Sequence, residues 1–300
     1  MIKVQDLVKK AWQTGCVIPN ISAPYLPMID PLIKAAIAQR AHMIVSVARV
    51  EWIKFGSQSM AAVKEEFDRC KPPSYVHLHL DHVPVIDEDH QQIDYLAILK
   101  EGISLGYESV MVDGSRLPLD QNIAYTRSAV ELAANAGIPC EAELGAVLGH
   151  ESGPLPPYDE LFESGRGFTI VEEAAEFVRE TGCNWLSVAI GNVHGAIAEA
   201  ARNQKKIEAR LNLQHLNKLH ESTGIPLVLH GGSGIRFDDL QTAITEGIAK
   251  INIGTDTRQA FESTYAKTNN VEAAQEAVYE KATWLIRDYL GSSGTLDVIH

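Results

Sequence analysis

Tyr75-Val76-His77-Leu78-His79-Leu80-Asp81-His82 reads as a β-strand that finishes with a carboxylate and an imidazole side by side. Packing alone seldom closes a buried strand this way, so the pair acquires meaning only if partners stand at the ends of other strands. The flanking chain supplies such strands at regular intervals. Residues 16–21, 42–48, 75–80, 108–113, 139–144, 185–190, 226–230 and 249–253 are short apolar runs of strand length. Helical patterns fill the gaps, at 27–40, 58–69, 91–105, 119–136, 169–181 and 237–246, and a charged helical stretch runs to about residue 223. Gly106, Gly137, Gly182, Gly224 and Gly247 stop helices just before the next strand. In the helix at 169–181, Thr169 with Glu172 three residues on forms a capping-box pattern.

Strands alternating with helices make a parallel sheet. Eight such units in 300 residues predict an α/β fold, a (β/α)8 TIM barrel. An extra helix precedes it, with Val4, Leu7, Val8, Ala11 and Trp12 on one stripe. A C-terminal helical extension follows at 263–300, its last ten residues a Gly/Ser tail. A doubly wound open sheet is the structural alternative, and the lack of a GxGxxG after the first strand counts against it. No domain boundary interrupts 1–300. The Pro/Gly-rich segment 149–167 is too long for a simple connection and reads as an active-site lid.

Composition narrows the function classes. A net charge of −13 argues against a nucleic-acid-binding or anionic-membrane surface, since both need clustered Lys and Arg. It leaves room for a small anionic substrate in a local cradle. No apolar run approaches the ~18 residues of a membrane span, and the N-terminus lacks a signal-peptide pattern. Cys16, Cys70, Cys140 and Cys183 are far apart, without CxxC spacing, and read as reduced thiols of a cytoplasmic protein.

Barrel enzymes carry their chemistry at the C-terminal ends of strands. Those ends are Asn20, Asp81-His82, Asp113, Glu143, Asn192-Val193-His194-Gly195, His230-Gly231-Gly232-Ser233-Gly234 and Asn252-Ile253-Gly254-Thr255-Asp256. His82, His194 and His230 therefore face one mouth, and three imidazoles with an open position suit a catalytic Zn²⁺. His77 and His79 lie earlier in their strand and read as core or supporting groups. His42, His90, His150, His215, His220 and His300 read as surface or loop residues. The glycine-rich stretches after strands seven and eight expose backbone N–H groups before helices, as an anion cradle does. A Lewis-acid metal beside a phosphate cradle, with spare carboxylates, suits proton movement at a carbonyl flanked by a phosphate ester.

Six motifs carry a resemblance: His79-Leu80-Asp81-His82, Met111-Val112-Asp113-Gly114-Ser115, Glu141-Ala142-Glu143-Leu144-Gly145, Ala189-Ile190-Gly191-Asn192-Val193-His194-Gly195, Leu229-His230-Gly231-Gly232-Ser233-Gly234 and Lys250-Ile251-Asn252-Ile253-Gly254-Thr255-Asp256. In order and spacing, from about residue 75 to 262, they resemble the class II, zinc-dependent fructose-bisphosphate/tagatose-bisphosphate aldolase family. The resemblance implies that His82, His194 and His230 are zinc ligands, with Asp113 and Glu143 where the family has a second metal position. It implies that Asp81 is the acid/base at the C4 hydroxyl and Glu151 the loop glutamate that exchanges the enediolate proton. Asn20 matches a substrate-contacting Asn. Gly195, Gly231, Gly232, Ser233, Asn252, Ile253, Gly254 and Thr255 match segments that hold dihydroxyacetone phosphate. Arg258 matches an Arg that meets the distal phosphate, often across a dimer interface.

The chain leaves the pattern on the aldehyde side. Many fructose-type members carry Asp, and tagatose-type members Ala, where this chain has Gly254. Strand two, usually followed by Ser-Glu-Gly, here reads Ala48-Arg49-Val50, and the family's Asn-Val-Asn-Asn is Asn20-Ile21-Ser22-Ala23. The expectation is a zinc-dependent aldolase that reversibly cleaves a ketose 1-phosphate or a ketose 1,6-bisphosphate-like sugar to dihydroxyacetone phosphate and an aldehyde, not strictly specific for fructose 1,6-bisphosphate. A homodimer or homotetramer is expected. The alternative is a non-catalytic sugar-phosphate-binding subunit of an aldolase complex. A Schiff-base aldolase would need Lys250, which stands at the start of strand eight among apolar neighbours.

Overall fold

A computed structural model describes residues 2–145, 147, 157–194 and 208–300. Eight strands form a closed, all-parallel barrel: β1 (Ile18–Ser22), β2 (Met43–Ala48), β3 (Val76–Pro84), β4 (Ser109–Asp113), β5 (Cys140–Leu144), β6 (Trp185–Val188), β7 (Leu227–Leu229) and β8 (Ile248–Ile253). Each strand pairs with the next, and β8 closes on β1 with Asn20 opposite Asn252. The chain is thus a (β/α)8 barrel, and the open-sheet alternative is excluded.

Alternation along the strands sorts the side chains into two cores. Outward residues such as Ile21, Val45, Val47, Leu78, Leu80, Val110, Val112, Ala142, Leu186, Val188, Leu229 and Ile251 belong to one buried apolar layer between sheet and helices. Inward residues at the N-terminal end form a second, smaller core of Ile18, Ile44, Trp185 and Val228. Helix α1 (Val4–Thr14) plugs it from below with Val4, Leu7, Val8 and Ala11. Higher up, the inward positions turn polar, and the site begins there.

The outer helices are α2 (Ile29–Ala38), α3 (Arg49–Lys54), α4 (Met60–Arg69), α5 (Tyr95–Leu105), α6 (Leu119–Asn135), α7 (Tyr158–Ser164), α8 (Val171–Thr181), α9 (Leu213–Thr223) and α10 (Phe237–Thr245). Then α11 (Thr255–Thr268) and α12 (Val271–Trp284) pack on each other and α12 on α2. No helix among the described residues is long and apolar enough to cross a membrane.

Several local expectations change. Helix α3 is not legible in the sequence, because six residues make fewer than two turns and show no helical period. Thr169 is not a helix cap: Ile170 precedes α8 without a side-chain cap. The Thr169 hydroxyl instead donates to the Leu144 carbonyl and accepts from the Ala189 N–H, tying β5 to β6. His42 is buried, with its N–H on Thr295 Oγ1. The Gly/Ser tail is docked rather than loose: Ser292, Thr295 and Ile299 are buried, and Gly294 N–H donates to Gln39. Of the expected lid at 149–167, residues 149–156 lie outside the described residues, and the remainder contains α7.

Candidate active site

The sequence expects β3 to stop at Leu80, yet it continues to Pro84. Its pairing with β4 shifts between Leu80 and Val83: Leu80 lies opposite Val110 and Val83 opposite Val112. Two residues, Asp81 and His82, thus stand where one would. His82 takes a left-handed backbone, φ +39°. On a regular strand these neighbours would point to opposite faces; the bulge turns both into the mouth. A non-glycine residue in this conformation costs on the order of 1–3 kcal/mol, and such strain persists where surrounding contacts hold it.

Those contacts come from other strands. His82 Nε2 lies 2.6 Å from His230 Nδ1, and His82 Nδ1 lies 3.3 Å from Asp113 Oδ2. The rings of His82 and His194 are 5.4 Å apart and those of His194 and His230 5.8 Å. One ligand atom from each of His82, His194 and His230 falls within 4.8 Å of the others, and so do those of His82, Asp113 and Glu143. Glu143 Oε2 is 3.6 Å from His230 Nδ1. With His82 Nδ1 on Asp113 and His230 Nε2 on Glu141, the two nitrogens facing each other at 2.6 Å both present lone pairs, an arrangement that a proton shared between them or a metal beside them satisfies. The donor set of imidazoles ringed by carboxylates fits a divalent transition metal.

Electrostatics agrees with that fit. Burial pulls the His82 pKa down, but Asp81, Asp113 and Glu143 outweigh it and raise it to about 10. Burial opposes the charge on Asp113, while His82 and two bonds from Ser115 hold its carboxyl well below the ordinary range. Burial and the neighbouring Asp113 push Glu143 well above its ordinary value. A mouth that loads a proton onto a buried imidazole is a mouth that attracts positive charge.

Beneath the imidazoles lies a charged layer. Glu141 Oε1 is 2.8 Å from His230 Nε2, which leaves Nδ1 as the nitrogen facing the mouth. Lys250 Nζ donates to Glu141 Oε2 at 2.7 Å and to Asn252 Oδ1 at 2.8 Å, all fully buried or nearly so. Lys250 therefore stands among charged partners rather than apolar ones. Asn252 Nδ2 donates to both Asp81 carboxylate oxygens, at 3.2 and 3.0 Å. His79 Nε2 lies 3.4 Å from Asp81 Oδ1, with Nδ1 on Ser109 Oγ at 2.8 Å. Burial disfavours the Asp81 charge, yet His82, His79, Lys250 and His230 hold it well below the ordinary value. Asp81 is thus an anion with a fixed orientation.

The third element is the glycine wall. Gly231 has φ +65°, and a Cβ there would fall 2.1 Å from the Val193 carbonyl oxygen. A Cβ on Gly232 would fall 2.4 Å from Ile251 Cγ2. Only glycine lets this turn approach β6 and β8 so closely. Gly232 N–H donates to Asn252 O, and Asp256 N–H to Ser233 Oγ at 3.3 Å. Gly254 is the N-cap of α11 and offers no side-chain cap, so the N-terminus of a 14-residue helix, with its Asp256 N–H on Ser233, stands at the cavity wall.

One cavity joins these parts, lined by Asn20, Ser22, Ser46, Glu51, Asp81, the imidazoles, Gly231, Ser233, Asn252–Thr255 and Arg258 among others. Arg258 is buried in the wall of this chain's own cavity, with Nη1 2.6 Å from Glu262 Oε2. Gly232 stands just behind the lining. Glu151 and Gly195 lie outside the described residues. Sequence reasoning missed Glu51, whose Oε2 accepts the Ala48 N–H at 2.9 Å and whose carboxyl burial pushes up to about 7. Its only signal was a Glu at the third position of a helix, and with Ala in the cap position the pattern went unrecognised.

Comparison with known proteins gives a consistent result. The family model described as fructose-bisphosphate aldolase class-II matches residues 2–295. Fructose-bisphosphate aldolase from Streptococcus pneumoniae serotype 4 is 32% identical over 287 residues, 94% of this chain and 88% of that protein. The enzyme of the same name from Streptococcus pyogenes serotype M1 is 30% identical over 283 residues, 93% and 87% of the two chains. Among solved structures, the YdjI aldolase from Escherichia coli K12 superposes with a TM-score of 0.76 at 27% identity, covering 98% of both chains. A putative fructose-1,6-biphosphate aldolase from Coccidioides immitis gives 0.76 at 26% identity, covering 99% and 98%.

Proposed function

The chain belongs to the class II fructose-bisphosphate aldolase family and is an aldolase, a carbon–carbon lyase, and from that premise we propose that it is a zinc enzyme cleaving ketose 1-phosphates to dihydroxyacetone phosphate and an aldehyde. The observation that carries the reading is the meeting, in one cavity, of three imidazoles, an oriented Asp81 and a glycine wall beside a helix N-terminus. The family is metal-dependent in general; zinc is our specific assignment, to His82, His194 and His230. Asp113 and Glu143 offer a second position beside His82. A divalent cation held by His82, His194 and His230 would supply Lewis-acid stabilisation of negative charge developing in the cavity.

The protein's own groups do the rest. Gly231, Gly232, Ser233 and the Asn252–Thr255 turn bind the 1-phosphate through N–H and hydroxyl donors at the α11 N-terminus. Gly195 joins this segment and Asn20 contacts the sugar in our assignment. Asp81 accepts the proton of the C4 hydroxyl. The C3–C4 bond breaks, the C4 oxygen becomes the aldehyde carbonyl, and the electron pair stays on C3. Glu151 delivers a proton to C3, giving dihydroxyacetone phosphate. Asn252 keeps Asp81 aimed throughout. Arg258 serves the far end of the substrate, and a homodimer or homotetramer in the cytoplasm remains part of the proposal.

A cleavage panel of ketose 1-phosphates and 1,6-bisphosphates tests this, with dihydroxyacetone phosphate release and metal content as readouts. The reading predicts about one zinc per site and turnover on at least one ketose 1-phosphate. A metal-free His194→Ala protein that still turned over would sink it.

A further inference from the structure

Helix α3 brings a carboxyl to the site from a direction the rest of the chemistry does not use. Ala48 is the register partner of Asp81 on the neighbouring strand. The Glu51 carboxyl folds back over Ala48, one oxygen held by the Ala48 N–H at 2.9 Å, and Ser22 hydrogen-bonds to it from β1. Glu51 is 7% exposed, and that remainder opens into the cavity that Asp81 and His82 line.

The floor beside it is polar and unsatisfied. Ser46 Oγ and both amide atoms of Asn20 are buried without a hydrogen-bond partner, and both residues line the same cavity. Buried polar groups are normally paired, so such a cluster asks for a ligand that both donates and accepts. A hydroxyl does both. An anionic end group would meet the carboxyls of Glu51 and Asp81. Ser22 has its own reason to be there: a Cβ on Gly254 would fall 2.6 Å from Ser22 Oγ, so the bare glycine makes the room that Ser22 occupies.

We infer that Glu51, with Ser22 and Ser46 beside it, is the specificity-determining carboxyl for the aldehyde half, hydrogen-bonding a hydroxyl one carbon beyond the one that Asp81 serves. The inference rests on the proposed aldolase reading of this cavity, with the phosphate at the β7 and β8 loops and the aldehyde half over β1 and β2. The substrate class it selects is a 2-hydroxyaldehyde joined to dihydroxyacetone phosphate, with a neutral group at the Glu51 position.

The test is condensation of dihydroxyacetone phosphate with glycolaldehyde and with acetaldehyde, its deoxy counterpart, by the zinc-loaded enzyme. In the wild type the hydroxylated aldehyde is expected to have the higher kcat/KM. Glu51→Ala is expected to lower the ratio of the two kcat/KM values on the order of tenfold or more, because a site built for a hydroxyl discriminates strongly. Glu51→Gln keeps an oxygen for the Ala48 N–H and is expected to lower the ratio several-fold, which covers the case in which the alanine variant does not fold. A Glu51 that merely capped α3 would reduce both aldehydes equally; an unchanged ratio in both variants overturns the inference. Solvent deuterium exchange into dihydroxyacetone phosphate by the wild type separates the two levels. Exchange with an unchanged ratio rejects Glu51 alone, whereas no exchange rejects the aldolase reading and this inference with it.

Discussion

Asp81 and His82 show how one extra residue in a strand creates a site. The bulge and the φ of +39° at His82 send adjacent side chains to the same mouth, one beside two other imidazoles and one onto Asn252. Their roles separate by measurement. Asp81→Asn is expected to retain metal while kcat falls on the order of 10²–10⁴-fold, the usual worth of a general base. His194→Ala is expected to lose metal and turnover together, read by metal analysis alongside the assay. Glu51 gives a pH signature. Its folded pKa, about 7, lies above the ordinary 4.5, so its protonated form is favoured in the fold. Relative stability is full below the unfolded value and is lost as pH rises through about 7. In metal-stripped protein, Glu51→Gln is therefore expected to be more stable than wild type at pH 8, by up to about 3 kcal/mol, and near it at pH 4.5. A difference independent of pH would contradict the burial argument.

Among the elements, the C-terminal extension reaches the site from outside the barrel. Helix α12 runs into a last turn, Leu285–Tyr289, where Tyr289 is buried. Its single O–H is shared between the carbonyls of Gly232, at 3.0 Å, and Ile235, at 2.8 Å. The glycine wall is thus shaped by a segment more than fifty residues away in the chain. Tyr289→Phe leaves two buried carbonyls without that donor, costing about 1–3 kcal/mol. It is expected to raise KM for a sugar phosphate more than it lowers kcat, which steady-state kinetics will show. An unchanged KM would mean that the loop needs no such support. The deeper charged layer behaves differently. Glu141→Gln leaves Lys250 buried and without its carboxylate, and removing one partner of a buried pair costs about 3–5 kcal/mol. Urea unfolding is expected to report that loss even in metal-free protein.

At the scale of the whole molecule, the barrel is closed twice: by β8 on β1 around the wall, and by α1 from below. Leu7 is fully buried at the centre of that plug. Leu7→Ala is expected to cost about 2–5 kcal/mol while leaving kcat of the folded fraction near wild type, because the cavity it opens lies at the barrel end opposite the site. Removal of a metal held by the imidazoles would act at the other end. Three strands, β3, β6 and β7, lead into the imidazole cluster. Chelation is therefore expected to lower Tm, and readdition of zinc at a hundredfold excess over Kd to restore about 2.7 kcal/mol. An unchanged Tm would argue that the three strand ends are fixed without a cation.

The alternation of apolar runs, the stopping glycines and the polar ends of strands were written in the chain. Together they determined the barrel and the imidazole trio, because the strand period and the helix period are local and each barrel unit repeats them. Glu141, Lys250 and His79 were visible as letters, but their partnership depends on which positions face inward at one level, a property of register. Gly254 looked like a missing carboxylate; in three dimensions it is the space that Ser22 fills. Glu51 was hidden in a helix too short to announce itself. The bulge that lets Asp81 and His82 act side by side left no mark in sequence, since an extra residue is defined only against the strand it pairs with. Long-range pairing decides such features, and tertiary structure alone carries that pairing.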